Sequence, residues 1–157
     1  MSSVEFRING AATLHKVAAQ FRAQANKDLS RDLSNALSKA IEPVKTAIKA
    51  SAEETMPREG GYNPTFSRAL KFRTNRNTRG SDGSVTLSTY AEGKTDRRDI
   101  RALERGDLRH PLFGHRKRAW YTTPIRAGFH RRGTDKALDE AQKEISKVAD
   151  DFLKHLT

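Results

Sequence analysis

Residues 134–156 read TDKALDEAQKEISKVADDFLKHL. Leu138, Ala141, Ile145, Val148, Phe152 and Leu156 step by three or four positions, with Ala149 and Leu153 beside them. The positions between are mostly Lys, Glu, Asp and Gln. One apolar stripe on an otherwise charged rod is an amphipathic helix built to dock on a core. Thr134 or Asp135 is placed to cap its start. The core-facing set Leu138, Ile145, Val148, Phe152 and Leu156 is expected to press this helix onto a sheet.

At the other end of the chain, Val4, Phe6 and Ile8 alternate with Glu5 and Arg7, which predicts a strand over residues 3–8 closed by the Asn9-Gly10 turn. A helical stripe follows at Leu14, Val17, Ala18, Phe21 and Ala25. A longer one at Leu29, Leu33, Leu37, Ala40, Val44 and Ile48 predicts a helix over 29–54. Pro43 falls inside it. An interior proline loses a hydrogen bond and clashes with the preceding turn, costing ~3 kcal/mol or more, so a kink or the meeting of two helices is expected there.

Between these ends, PREGGYNPTF at 57–66 has the composition of a loop. Leu70 and Phe72 alternate within 67–76, and Val85, Leu87 and Thr89 alternate after a polar tip at 76–84, which predicts a hairpin. Ile100, Leu103 and Leu108 suggest a short helical turn ended by Gly106, and Trp120, Tyr121 and Thr122 favour a further strand. Strands and helices are segregated rather than alternating, so the fold class is α+β: a small antiparallel sheet packed against a long N-terminal helical region and a C-terminal amphipathic helix. The 157 residues suit a single domain. It divides into a strand and helices (3–56), a hairpin and basic irregular region (57–131) and the C-terminal helix (132–157).

Mean hydropathy is -0.80 and only 35% of residues are hydrophobic, so the core is thin and much surface is left for partners. The absence of cysteine excludes disulfides and thiolate metal sites. The first residues, MSSVEFRING, show no apolar signal region, and no apolar run approaches the ~20 residues that span a bilayer, so a membrane is not an expected partner.

Motifs of catalysis are missing: there is no P-loop, no GxGxxG after a strand, no HExxH and no GxSxG. His110, His115 and His130 share one basic stretch, but a zinc site would recruit cysteine or carboxylate too, and the surrounding arginines repel a cation. His15 and His155 fall on predicted helices, facing solvent. Glu53-Glu54, Asp139-Glu140 and Asp150-Asp151 are adjacent on helices and point apart, as solvated faces do. The expectation is a protein that is not an enzyme, with no catalytic residue, no cofactor, no metal and no small-molecule substrate.

The net charge of +11 is concentrated in the middle of the chain. Arg97, Arg98, Arg101, Arg105, Arg109, Arg116, Lys117, Arg118, Arg126, Arg131 and Arg132 face only Asp99, Glu104 and Asp107 within the same stretch. Arginine pairs bidentately with carboxylate or phosphate and stacks on aromatic rings. Three readings stay open. The arginines contact phosphate while Phe113, Trp120, Tyr121 and Phe129 stack on bases; or they pair with acidic groups of neighbouring subunits; or they are solvated over an aromatic core. The candidate contact residues are Arg97, Arg98, Arg101, Arg116, Lys117, Arg118, Trp120, Arg131 and Arg132.

The stretch HPLFGHRKRAWYTTPI at 110–125, the Gly128-Phe129 turn and the terminal helix together resemble the small neck or tail-completion (head–tail joining) proteins of long, non-contractile-tailed bacteriophages. The resemblance is carried by His110, Pro111, Phe113, Gly114, Trp120, Pro124 and the helix at 134–156. The family's loop often reads Thr-Gly before the first hairpin strand, whereas Gly60-Gly61-Tyr62 and Pro64 stand there in this chain. The resemblance implies a structural virion protein, assembled in the host cytoplasm and resident in the neck or upper tail. It implies a homo-oligomeric ring, hexameric as in related tail terminators. Its partners would be head-connector and tail-tube or terminator proteins, with genomic DNA passing transiently through the channel. A tail terminator or head–tail connector ring is the neighbouring alternative, and a stand-alone basic nucleic-acid-binding protein is the alternative from another class.

Overall fold

The computed structural model describes residues 3–9, 16, 17, 19, 20, 23, 27–58, 62–77, 84–91, 100–111, 117 and 119–156. The labelled elements are β1 (Ser3–Asn9), α1 (Lys27–Ala40), α2 (Glu42–Thr55), α3 (Tyr62–Ala69), β2 (Leu70–Asn77), β3 (Ser84–Ala91), α4 (Ile100–Arg105), β4 (Asp107–Pro111), β5 (Trp120–Pro124) and α5 (Phe129–Leu156). Mixed helices and small antiparallel sheets make this an α+β fold, as the segregated pattern predicts.

The first sheet has strand order β1-β3-β2, all antiparallel, with Val4 opposite Thr89 and Phe72 opposite Thr89 across the central strand. Its alternation is clean. Val85, Leu87 and Thr89 are buried on one face, with Leu70 buried and Phe72 and Val4 half-buried beside them. The other face exposes Glu5, Arg7, Lys71 and Arg73. An antiparallel sheet covered on one side and wet on the other produces this pattern.

The proline-bearing stretch resolves into two helices meeting at Ile41, which is fully buried. Pro43 sits in the first turn of α2, where its missing N–H would have had no intrahelical partner. Among residues 16–23, those described are helical, and Val17 is buried while Lys16, Gln20 and Ala23 are exposed. Leu14, Ala18, Phe21 and Ala25 lie outside the described residues.

Two local expectations are corrected. Residues 62–69, expected to be loop and then strand, form α3, and the strand begins only at Leu70. Pro64 falls in the first helical turn, where proline is tolerated. Phe66 then reaches the core edge-on to Phe129, with ring centroids 5.7 Å apart. The second correction concerns α5. It starts at Phe129, not at Thr134 or at residue 132, and Thr134 is buried within it instead of capping it.

The docking of α5 also differs from expectation. It packs most extensively along α2, then α1, and less against the sheet, which it meets near its start through His130 and Thr89. The small residues lead: Ala137, Ala141 and Ala149 are buried with Ile145, while Leu138, Val148 and Phe152 are half-buried at the margins. Leu156 ends the helix, and its side chain lies outside the described residues. Gly133 shows why small residues win. A Cβ placed there would stand 2.6 Å from the Ile48 Cα and 2.8 Å from the Ala47 carbonyl oxygen. Side-chain size at the seam sets how near two helices come.

Candidate macromolecular interface

After α4 the chain leaves the core as a two-stranded ribbon. β4 and β5 pair antiparallel, with Asp107 opposite Pro124 at the base and Pro111 opposite Trp120 at the far end. Leu108 is buried and Ile125 is packed against the core, so the base is held by apolar contact. Beyond that base, all five residues of β5 are exposed. Trp120 and Tyr121 keep 44% and 47% of their surface in water, an unusual exposure for two large aromatic residues side by side. The Arg109 guanidinium lies 5.7 Å from the Trp120 ring centroid, a cation–π contact that holds both side chains on the same face of the ribbon. On the other face the His110 ring nitrogen Nε2 and the Thr123 hydroxyl share a 2.8 Å hydrogen bond.

The ribbon is fastened where it meets the body. Gly106 adopts φ +99°, and a Cβ there would come within 2.9 Å of the Ile125 carbonyl oxygen, so only glycine fits. Its own carbonyl accepts the Ile125 N–H at 2.8 Å. Glu104 ties the same point to α5. Its carbonyl accepts the Gly128 N–H at 2.7 Å, and its carboxylate accepts the N–H groups of His130 at 2.8 Å and Arg131 at 3.2 Å. Those are orphan donors in the first turn of α5, and a negative carboxylate there also meets the positive end of the helix dipole. Gly128 (φ +78°) supplies the first helical acceptor, to Arg132 N–H at 2.8 Å. The helix therefore starts well before the point where a Thr134 cap would place it, because its cap comes from α4.

Arg101 is exposed and its Nε donates to the Ser3 carbonyl at 3.1 Å, joining α4 to β1. Lys117 is exposed in the connection between β4 and β5. Arg131 is exposed, with a loose 3.9 Å ion pair to Asp135 that contributes little in water. Arg132, expected to face a partner, is half-buried and donates to the Ala127 carbonyl and the Thr55 hydroxyl. Burial, then the nearby Arg126 charge, lower its pKa, against the opposing pull of Glu104 and Glu54. It braces the turn into α5. Arg97, Arg98, Arg116 and Arg118 lie outside the described residues.

The described histidines do not converge. His130 is buried at 3% exposure, with Nε2 3.0 Å from the Thr89 hydroxyl of the central strand, and burial pushes its pKa down to about 4. His110 pairs with a threonine of the other sheet, His155 is exposed, and His15 and His115 lie outside the described residues. Among the described residues, no group of three or more metal-ligating side chains comes together, and no helix is long and apolar enough to cross a membrane. No family model, no curated protein and no solved structure matches the chain.

Glu104, Arg109 and Gly133 carry roles that sequence reasoning did not single out. A glycine followed by an aromatic residue at 128–129 is the one signal that could have placed the helix start earlier, since glycine is acceptable at an N-cap.

Proposed function

We propose that this chain is a structural, ring-forming subunit of the bacteriophage head–tail junction or upper tail, needed for tail completion and genome passage, and that it is not an enzyme. One observation carries the reading: a cationic, aromatic ribbon stands out from a thin core and is fastened to it at its base, with five consecutive exposed residues including Trp120 and Tyr121. Arginine and aromatic residues are the types enriched where macromolecules dock. The sequence resemblance from His110 to the terminal helix supplies the phage neck as the setting. A subunit with limited core and a large polar surface gains stability by burying area in a closed ring. Neighbouring subunits, the head connector and the tail tube or terminator would cover the surface around the ribbon, with genomic DNA passing through the channel, in the virion after assembly in the host cytoplasm.

Native mass measurement of the purified chain, joined to cryo-microscopy of virion necks, tests this. A ring in solution or density for the chain at the junction is the expected result. A lone stable monomer that turns over a substrate and is missing from particles would end the proposal.

A further inference from the structure

We infer that the β4–β5 ribbon is a sequence-independent duplex-DNA-binding element, in which Arg109 and Lys117 contact backbone phosphates and Trp120, on the same face as Arg109, packs against the sugars. The inference deepens the proposed function by assigning the ribbon an occupant, but it needs no ring to be tested.

Charge chooses the occupant. From residue 105 to residue 126 the sequence carries Arg105, Arg109, Arg116, Lys117, Arg118 and Arg126 against the single carboxylate Asp107. Among these, Arg105, Arg109, Lys117 and Arg126 are all exposed in the structure, placing cations at the base, along β4 and in the connection beyond the strands. A second copy of the same chain is a poor fit. Each copy carries +11, and the six exposed acids of α5 are interleaved with four exposed lysines, so the helix offers only a weak acidic field against that surplus. A polyanion meets the ribbon without that conflict.

Shape agrees with charge. Five paired residues at ~3.4 Å each make a ribbon ~17 Å long, a length of duplex that carries roughly ten phosphate charges. The major groove is wide enough to admit a two-stranded ribbon between its phosphate walls. Arginine bonds phosphate bidentately, and an exposed indole beside it adds apolar contact to sugar without reading a base. A surface of this kind binds every sequence alike and releases as salt rises.

The experiment is fluorescence anisotropy of the full chain with a labelled 30-base-pair duplex of arbitrary sequence, from 50 to 200 mM salt. Wild type is expected to bind at 50 mM salt. Each phosphate contact adds a slope of ~0.9 in log K against log salt, so the double variant Arg109→Ala/Lys117→Ala should lose about 1.8 in slope and bind at least ~10-fold more weakly at 50 mM. Trp120→Ala should weaken binding by ~3- to 10-fold with the slope unchanged. Lys143→Ala/Lys147→Ala, on the outer face of α5, is the matched loss of two charges and should change binding by less than ~2-fold. Circular dichroism confirms that each variant folds. No binding by wild type, or an equal loss from the α5 pair, overturns the inference. Tighter binding to a single strand than to the duplex overturns it as well, because the aromatics would then be stacking on bases. The native mass of the same samples keeps the two proposals apart. A ring that ignores DNA would refute the ribbon's role alone, and a DNA-binding monomer would refute the ring alone.

Discussion

The long helix α5 and the ribbon β4–β5 are consecutive in sequence and opposite in physics. In α5 a seam of Gly133, Ala137, Ala141, Ile145 and Ala149 faces the body, and its outer face mixes charges of both signs. Among the described residues of the ribbon only Leu108 is buried, and nearly all the charge in its sequence is positive. The helix holds the protein together and its residues are used up in doing so. Beyond the base, the five residues of β5 are exposed, and theirs is the surface that the proposal gives to another molecule.

That contrast is tested first where the effect is largest. Ile145→Ala deletes a side chain that is 1% exposed in the α5 seam and should destabilise the protein by about 4 kcal/mol in a urea titration. A loss under about 1 kcal/mol would mean that the seam is not the core.

His130 comes next, because it lies at the start of the helix and beneath the sheet. Burial lowers its folded pKa to about 4 from the ordinary 6.5, so between those values only the unfolded chain takes up the proton. Stability is then complete above the unfolded value, falls as pH drops through the window and levels off below the folded value. The whole change is on the order of 3 kcal/mol. Thermal melts between pH 7 and pH 4 should show it, and His130→Gln should remove that component.

Glu104 joins the two regions, and Glu104→Ala removes a carboxylate that caps two N–H groups of α5. The expected loss is about 1–2 kcal/mol. Trp120 is the single tryptophan, so its fluorescence reports the ribbon while circular dichroism reports the helices. In the variant the fluorescence transition should precede the helical one. Coincident transitions would show that the ribbon is held by its apolar base alone.

Smallest of all is Trp120→Ala. With 44% of its surface in water and Arg109 stacked on its ring, its removal should change stability by less than about 0.5–1 kcal/mol. The same substitution is the one expected to weaken DNA binding, so the two measurements together separate a surface kept for a partner from one kept for the fold.

Periodicity made the helices and the hairpin legible. Leu33, Leu37, Val44 and Ile48 mark a buried stripe, and Val85, Leu87 and Thr89 a buried strand face, because each pattern repeats the geometry of its element. Pro43 announced the junction at Ile41 for a local steric reason. The start of α5 was hidden because its cap is a carboxylate twenty-six residues earlier, at Glu104, and local composition around Thr134 offered a plausible substitute. The choice of α2 as the partner of α5 was hidden too. Alanine and glycine carry a weak hydrophobic signal, yet they decide how near two helices can lie. Of the expected contact residues, Trp120 and Lys117 were legible as exposed polar-aromatic punctuation in a basic run, whereas the inward role of Arg132 depends on Thr55, seventy-seven residues away.

The knot at Glu104, Gly106 and Gly128 has a mechanical consequence. Both ends of the ribbon are secured at one place, so the ribbon behaves as a lever with a single fulcrum at the opening turn of α5. Whatever grips Trp120 and pulls does not load the sheet strand by strand. It strains the hydrogen bonds gathered around Glu104 and Gly106 first, and the leading end of α5 is where the molecule would begin to give way.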